Sequence, residues 1–164
     1  KEKNRALVKY VNEALSEQKK KQQSPGEDDK SILYNDLDTE SSDIDKEYEI
    51  NKQVFQKLDS LIRRDELYLS ADLSREDLVR MAHMNNTRFA KMIKENTGTN
   101  LSGYINELRL NHAIHLLKEH PEYTLHAIAE ASGINSMPTF HSLFKNKTGM
   151  TPSEFKKAQM DMKQ

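Results

Sequence analysis

Phe89-Ala-Lys-Met92-Ile93-Lys94-Glu-Asn-Thr97-Gly98 and Phe140-His-Ser-Leu143-Phe144-Lys145-Asn-Lys-Thr148-Gly149 repeat one pattern 51 residues apart. Phe, Lys, Thr and Gly recur unchanged, and Met92-Ile93 is answered by Leu143-Phe144. Upstream, Leu78, Val79 and Met84 match Ile128, Ala129 and Ile134 at an offset of 50. The one-residue change falls between Met84 and Phe89, where a turn tolerates an insertion. Self-similarity at a fixed period marks a repeated supersecondary unit. Each copy reads as a short helix (75–82; 125–132), a tight turn at His83 or Gly133, and a second helix (87–95; 138–147). The second helix buries apolar residues at i, i+3 and i+4, which is the pattern of a helix-turn-helix over a small core.

The buried triplets decide which face of each second helix is left for solvent or a partner. In the first copy that face carries Thr87, Arg88, Ala90, Lys91 and Lys94; in the second, Met137, Thr139, His141, Ser142 and Lys145. An α-helix fits the major groove of B-DNA, and side chains near its N-terminus reach base edges. Asn and Thr supply hydrogen bonds there, Lys and Arg meet guanine or phosphate, and the N–H groups of a helix start suit phosphate oxygens. One such helix alone is more often a solvated surface. Two copies held apart by a spacer favour groove reading.

The spacer is a helix over 101–118. Leu101, Tyr104, Ile105, Leu108, Ala113, Leu116 and Leu117 form its buried side, and Pro121 stops it. At ~1.5 Å per residue it runs roughly 27 Å. That length is expected to hold two recognition helices about one DNA turn, roughly 34 Å, apart. No strand-period segment follows residue 46, so the expected fold is all-α: two helix-turn-helix units joined by a central linker helix, preceded by an N-terminal helix and an acidic linker.

Working outward, residues 1–23 read as a helix, with Leu7, Val8, Val11, Ala14 and Leu15 at helical spacing. Its stripe is short, so it is more a connecting helix than a coiled coil, with a dimerising or juxtamembrane role as the alternative. Ser24-Pro25-Gly26 breaks it, and 24–46 read as an acidic linker. From Glu27 to Glu49 ten acidic residues face only Lys30 and Lys46. The domain is expected over 47–160, with a first unit at 73–98, the linker helix at 101–119 and a second unit at 124–149. Ile50, Val54, Phe55, Leu58, Leu61 and Ile62 mark the buried face of its first helix. Ser74 is the expected N-cap of the next, with Asp77 completing a partial capping box.

The 164 residues are 35% hydrophobic and 31% charged, enough for a compact core over part of the chain. With no cysteine, disulfides and cysteine-ligated metal sites are excluded, which fits a reducing cytoplasm. Net charge is −1, but the distribution is polarised: beyond Asn86 ten Lys and Arg stand against seven acidic residues. No apolar run reaches the ~18 residues of a membrane span, and no signal-peptide pattern is present. The first residue is Lys1, so the chain is expected to be part of a longer protein with a sensor or membrane region upstream.

Gly133, Phe140, Phe144-Lys145, Gly149, Thr151-Pro152 and Phe155 form a constellation with Tyr104, Arg109, Ala113 and Leu116-Leu117 of the middle helix. Together they resemble the DNA-binding domain of the AraC/XylS family. The resemblance covers about 50–158, and Lys-Thr-Gly-Met-Thr-Pro-Ser-Glu-Phe at 147–155 is its most specific part. It implies an all-α domain of about seven helices that binds promoters through two consecutive major-groove segments. By position, base-reading residues would be Asn86, Thr87, Ala90 and Lys91 in the first unit, and Met137, Pro138, His141 and Ser142 in the second. Backbone contacts would come from Arg88, Lys94, Ser136, Thr139 and Lys145, and from the helix starts near Ser74 and Thr124. His83 stands where the family commonly has glycine, and histidine tolerates left-handed backbone better than most residues. The second recognition helix offers few bidentate donors, so the first is expected to carry more of the specificity.

Other constellations are weaker. His112 and His115 lie three apart on the middle helix, but no third metal ligand is placed beside them. Glu76-Asp77 and Asp65-Glu66 diverge around a helix rather than converge. Asn85-Asn-Thr87 and Asn146-Lys-Thr148 match the glycosylation pattern by chance in a cytoplasmic protein. With no phosphate loop and no nucleophile–base ordering, neither an enzyme nor a cofactor is expected. Promoter DNA is the expected partner, with RNA polymerase and self-association through the N-terminal segment as further ones. The competing class is a helical interaction module that docks polymerase or another protein without reading sequence. The acidic stretch beside a basic groove reader could also compete with DNA phosphate.

Overall fold

A computed structural model describes residues 38–162, with side chains from residue 42 onward. The helix expected over 1–23 and the first part of the acidic linker lie outside the described residues. Seven α-helices follow: α1 (Asp38–Arg64), α2 (Arg75–Ala82), α3 (Asn86–Thr97), α4 (Leu101–Glu119), α5 (Leu125–Ala131), α6 (Met137–Thr148) and α7 (Pro152–Met162). A 3-10 turn at Leu67–Leu69 separates α1 from α2, and the described residues contain no strand. All-α is the fold.

The linker reading of 24–46 is corrected at its end, because α1 begins at Asp38, inside it. Between Asp38 and Arg64 the chain has no glycine or proline, so nothing stops a helix from growing back from the apolar residues after Asn51. Exposed pairs such as Lys46 with Asp43, three positions apart, suit a polar helix. The expected buried face also needs correcting at one position: Ile50 is 40% exposed, whereas Asn51 beside it is 1% exposed. Val54, Leu58, Leu61 and Ile62 are buried as expected.

The described residues divide into two compact units, one holding those up to Leu58 with Arg75–Met92, the other holding Asp59–Ser74 with those from Ile93 to Met162. In the first, Val54, Leu58, Leu78, Met81, Ala82, Phe89 and Met92 are buried. In the second, Leu110, Ala113, Leu117, Ile128, Ala129, Ile134, Phe140 and Phe144 form one cluster, with Leu143 and Phe155 packed against it. Its aromatic rings meet edge to face: Phe140 with Phe144 at 5.7 Å and Phe144 with Phe155 at 5.4 Å between centroids. Helix α4 is buried on more than one side. Leu108 and Leu110, both buried, lie about 200° apart around a helix of 3.6 residues per turn. A single-stripe reading therefore misses Leu110.

The duplication extends to hydrogen bonds. Thr97 and Thr148 each donate from Oγ1 to the carbonyl four residues back, at Ile93 (2.7 Å) and Phe144 (2.9 Å). Each hydroxyl also accepts from the backbone N–H two residues on, at Thr99 and Met150. Gly98 (φ 74°) and Gly149 (φ 77°) then turn the chain out of the helix in the left-handed region. The next helices start on matching caps: Asn100 accepts from Gly103 N, and Thr151 accepts from Glu154 N.

Candidate nucleic-acid interface

In the first helix-turn-helix, α2 and α3 are joined through His83, whose φ of 51° puts a non-glycine residue in the left-handed region. Asn85, just before α3, accepts from Arg88 N at 2.8 Å and caps the helix. Arg75 at the start of α2 reaches Asn86, donating to its backbone carbonyl (3.3 Å) and to its Oδ1 (3.4 Å). Asn86, Thr87, Ala90, Lys91 and Lys94 are exposed. Arg88 is different. It is half-buried, and its Nε donates to Oδ1 of Asn51 in α1 at 2.9 Å, with Glu47 Oε1 at 3.8 Å. Lys94 donates from Nζ to the carbonyl of Gly98 at 2.9 Å, which ties it to the end of its own helix.

The second helix-turn-helix is built on Gly133, and here glycine is required twice over. Its φ is 75°, and a Cβ would lie 2.8 Å from the Leu69 carbonyl oxygen, 3.0 Å from that of Tyr68 and 3.1 Å from Arg109 Nε. Arg109 on α4 donates to the same 3-10 turn, from Nε to Tyr68 O (2.6 Å) and from an amino group to Ser70 O (3.0 Å). Burial pulls its guanidinium below the ordinary arginine value. Its planar fork holds both carbonyls at once, Tyr68 O and Ser70 O, the latter shared with the backbone N–H of Leu73 at 3.4 Å.

Along α6, Ser136 is the N-cap: its Oγ accepts from Thr139 N at 3.4 Å and from the Thr139 hydroxyl at 3.1 Å. Pro138 in the first turn needs no hydrogen-bond partner. Ser136, Pro138, Thr139, Ser142 and Lys145 are exposed. Met137 is half-buried and packs against the core cluster, and His141 is half-buried with its ring edge-on to Phe140 at 6.2 Å. Of the two helix starts, Ser74 is half-buried, and Thr124 is an exposed N-cap whose Oγ1 accepts from Ala127 N at 3.1 Å.

Three further sets of ionisable groups serve the scaffold. Tyr104 donates to Asp59, and burial followed by that bond raises its phenol far above the ordinary value. Lys147 pairs with Glu107. His112 lies edge-on to Tyr68 and is pushed down by burial. Among the described residues no three His, Cys, Asp or Glu side chains gather as metal ligands, and no helix is long and apolar enough to cross a membrane. Sequence reasoning missed Asn51, Arg75 and Asn85. Only Asn85 carried a signal, an N-cap residue directly before a helix.

Residues 78–158 match the family described as "Helix-turn-helix domain". The uncharacterized transcriptional regulatory protein YesN of Bacillus subtilis is 39% identical over 80 residues, 48% of this chain and 22% of that protein. The RCS-specific HTH-type transcriptional activator RclR of Escherichia coli is 31% identical over 81 residues, 49% of this chain and 28% of that protein. The alignments thus span well under half the length of these relatives. A transcriptional regulator structure from Chromobacterium violaceum, described as AraC-type DNA-binding domain-containing, superposes with a TM-score of 0.57 at 27% identity. That match covers 66% of this chain and 93% of the other. The C-terminal domain of the response regulator yesN from Fusobacterium nucleatum shares the fold, with a TM-score of 0.57 at 22% identity. Over residues 78–158 the chain therefore carries a helix-turn-helix domain, similar to those of these transcriptional regulators and of the AraC-type structure.

Proposed function

We propose that this chain is the DNA-reading part of a longer cytoplasmic or membrane-anchored regulator, and that α3 and α6 enter successive major-groove segments of a promoter. The observation that carries this reading is the duplication, in which two second helices share one apolar anchor pattern and one Thr-Gly ending. Asn86, Thr87, Ala90 and Lys91 would read bases in the first segment. Pro138, His141 and Ser142 would do so in the second, where half-buried Met137 adds at most an apolar edge against a thymine methyl. Lys94, Ser136, Thr139 and Lys145 would meet phosphates, joined by Arg88 and by the helix starts at Ser74 and Thr124. A link to RNA polymerase, self-association through the N-terminal segment and an upstream sensor belong to the same reading.

Selection from a random-sequence duplex pool with the 164-residue chain tests it. The expected result is one enriched site with two half-sites about one helical turn apart. Affinity should fall with salt by about 0.9 log unit per log unit for each phosphate contact. Sequence-blind binding with a shallow salt slope would instead identify a protein-docking module.

A further inference from the structure

Asn51 is the least expected residue in the interior. It is 1% exposed, and its Nδ2 has no hydrogen-bond partner among the described residues. Burying an amide group without a partner is unfavourable, so a leucine of similar size would stabilise the helix better. What the asparagine does is accept. Its Oδ1 takes the Nε–H of Arg88 at 2.9 Å. That bond fixes the inner edge of the guanidinium and leaves the two outer amino groups without hydrogen bonds among the described residues. The Arg88 side chain remains 38% exposed, enough to present that outer edge. Arg88 lies in the first turn of α3, and arginine is a common donor to backbone phosphate.

We infer that Asn51 is a positioning residue for DNA: it locks Arg88 from behind so that the outer guanidinium edge clamps one backbone phosphate beside the first recognition helix. This rests on the DNA-reading proposal above and adds to it a residue from outside either helix-turn-helix. Preorganisation is the physical gain. A free arginine loses side-chain entropy when it binds phosphate, whereas one already held has less to lose. Both phosphate oxygens can then be met in one geometry.

The test uses the whole chain, a duplex selected from a random pool, and four variants: Asn51→Leu, Arg88→Ala, Arg88→Lys and the Asn51→Leu/Arg88→Ala double. Asn51→Leu should leave Tm unchanged or raised, yet weaken DNA binding on the order of tenfold and lower the salt slope by about one phosphate contact. Arg88→Lys, which keeps the charge, should lose nearly as much as Arg88→Ala, because lysine has no Nε–H for Asn51 to hold. The double variant should bind no worse than Arg88→Ala alone, as coupled residues do. Loss should be uniform across mutated sites, since a phosphate carries no sequence. The inference is overturned if Asn51→Leu binds like the wild type, if Arg88→Lys restores full binding, or if the loss is confined to one base position. If the wild-type chain selects no site at all, the DNA-reading proposal itself has failed.

Discussion

The two helix-turn-helix units share an apolar plan but differ in how their turns are secured. In the second, Gly133 sits against the carbonyls of the 3-10 turn, and Arg109 donates to that same turn. In the first, an exposed His83 makes the turn, and the support comes from a helix N-terminal to the repeat, through Asn51 and Arg88. One unit is fastened by backbone close approach, the other by a side chain that also faces outward. A duplicated module can therefore keep its hydrophobic code while fastening one copy by backbone close approach and the other by a side-chain hydrogen bond.

The largest effect should come from breaking the tighter turn. Gly133→Ala forces a Cβ into left-handed backbone within 2.8 Å of a carbonyl oxygen, and should cost about 3 kcal/mol in denaturant unfolding. His83→Gly makes the opposite change in the first turn and should shift stability by no more than about 1 kcal/mol. Equal losses at the two turns would erase the contrast. Arg109→Met should come next, at about 2 kcal/mol, because it removes both bonds to the turn and takes from the half-buried Tyr68 carbonyl its Arg109 donor. Arg109→Lys should recover little, since a single ammonium cannot reproduce the fork.

On DNA, the contrast predicts unequal readout. Lys91 is exposed on α3, whereas His141 is half-buried against Phe140. Lys91→Ala should cost about 1–3 kcal/mol and relax one half-site. His141→Ala should change less and relax the other half-site only slightly. Competition against a panel of mutated sites checks this, and equal relaxation at both would show that the second helix reads as much as the first.

The parts legible in the sequence are those set by local periodicity. The repeat offset, the α2 span and the glycine turns follow from apolar spacing and backbone preference. So do the two Thr-Gly endings. What stayed hidden depends on packing between distant segments. Asn51 reads as a polar break in a stripe, and only the structure shows that Arg88, 37 residues on, accounts for its burial. Ile50 reads as core because its neighbours do, yet it falls on the exposed side of α1. Leu110 is buried because α4 is covered on more than one side, which one stripe cannot show. Asp38–Lys46 read as an acidic linker by composition but form the first turns of a helix whose buried apolar residues lie beyond Asn51.

The smallest effect lies just beyond the repeats, where each is followed by a capped helix. Thr151 and Glu154 form a reciprocal box, with Thr151 N donating to Glu154 Oε2 at 2.8 Å and Glu154 N donating to Thr151 Oγ1 at 3.3 Å. The corresponding position after the first unit is Gly103, which has no side chain to return the bond, so that copy lacks the reciprocal half of the device. The Thr151 backbone N–H holds the Glu154 carboxyl below its ordinary value of 4.5. A depressed folded-state value means the contribution is complete above that ordinary value and fades as pH falls through the lower one. Glu154→Gln keeps an acceptor for Thr151 N but has no charge to titrate. Its stability should match the wild type only once pH has fallen below the depressed carboxyl value, and fall slightly short of it at pH 7. A variant whose unfolding curve tracks the wild type at every pH would mean that the box contributes through hydrogen bonding alone.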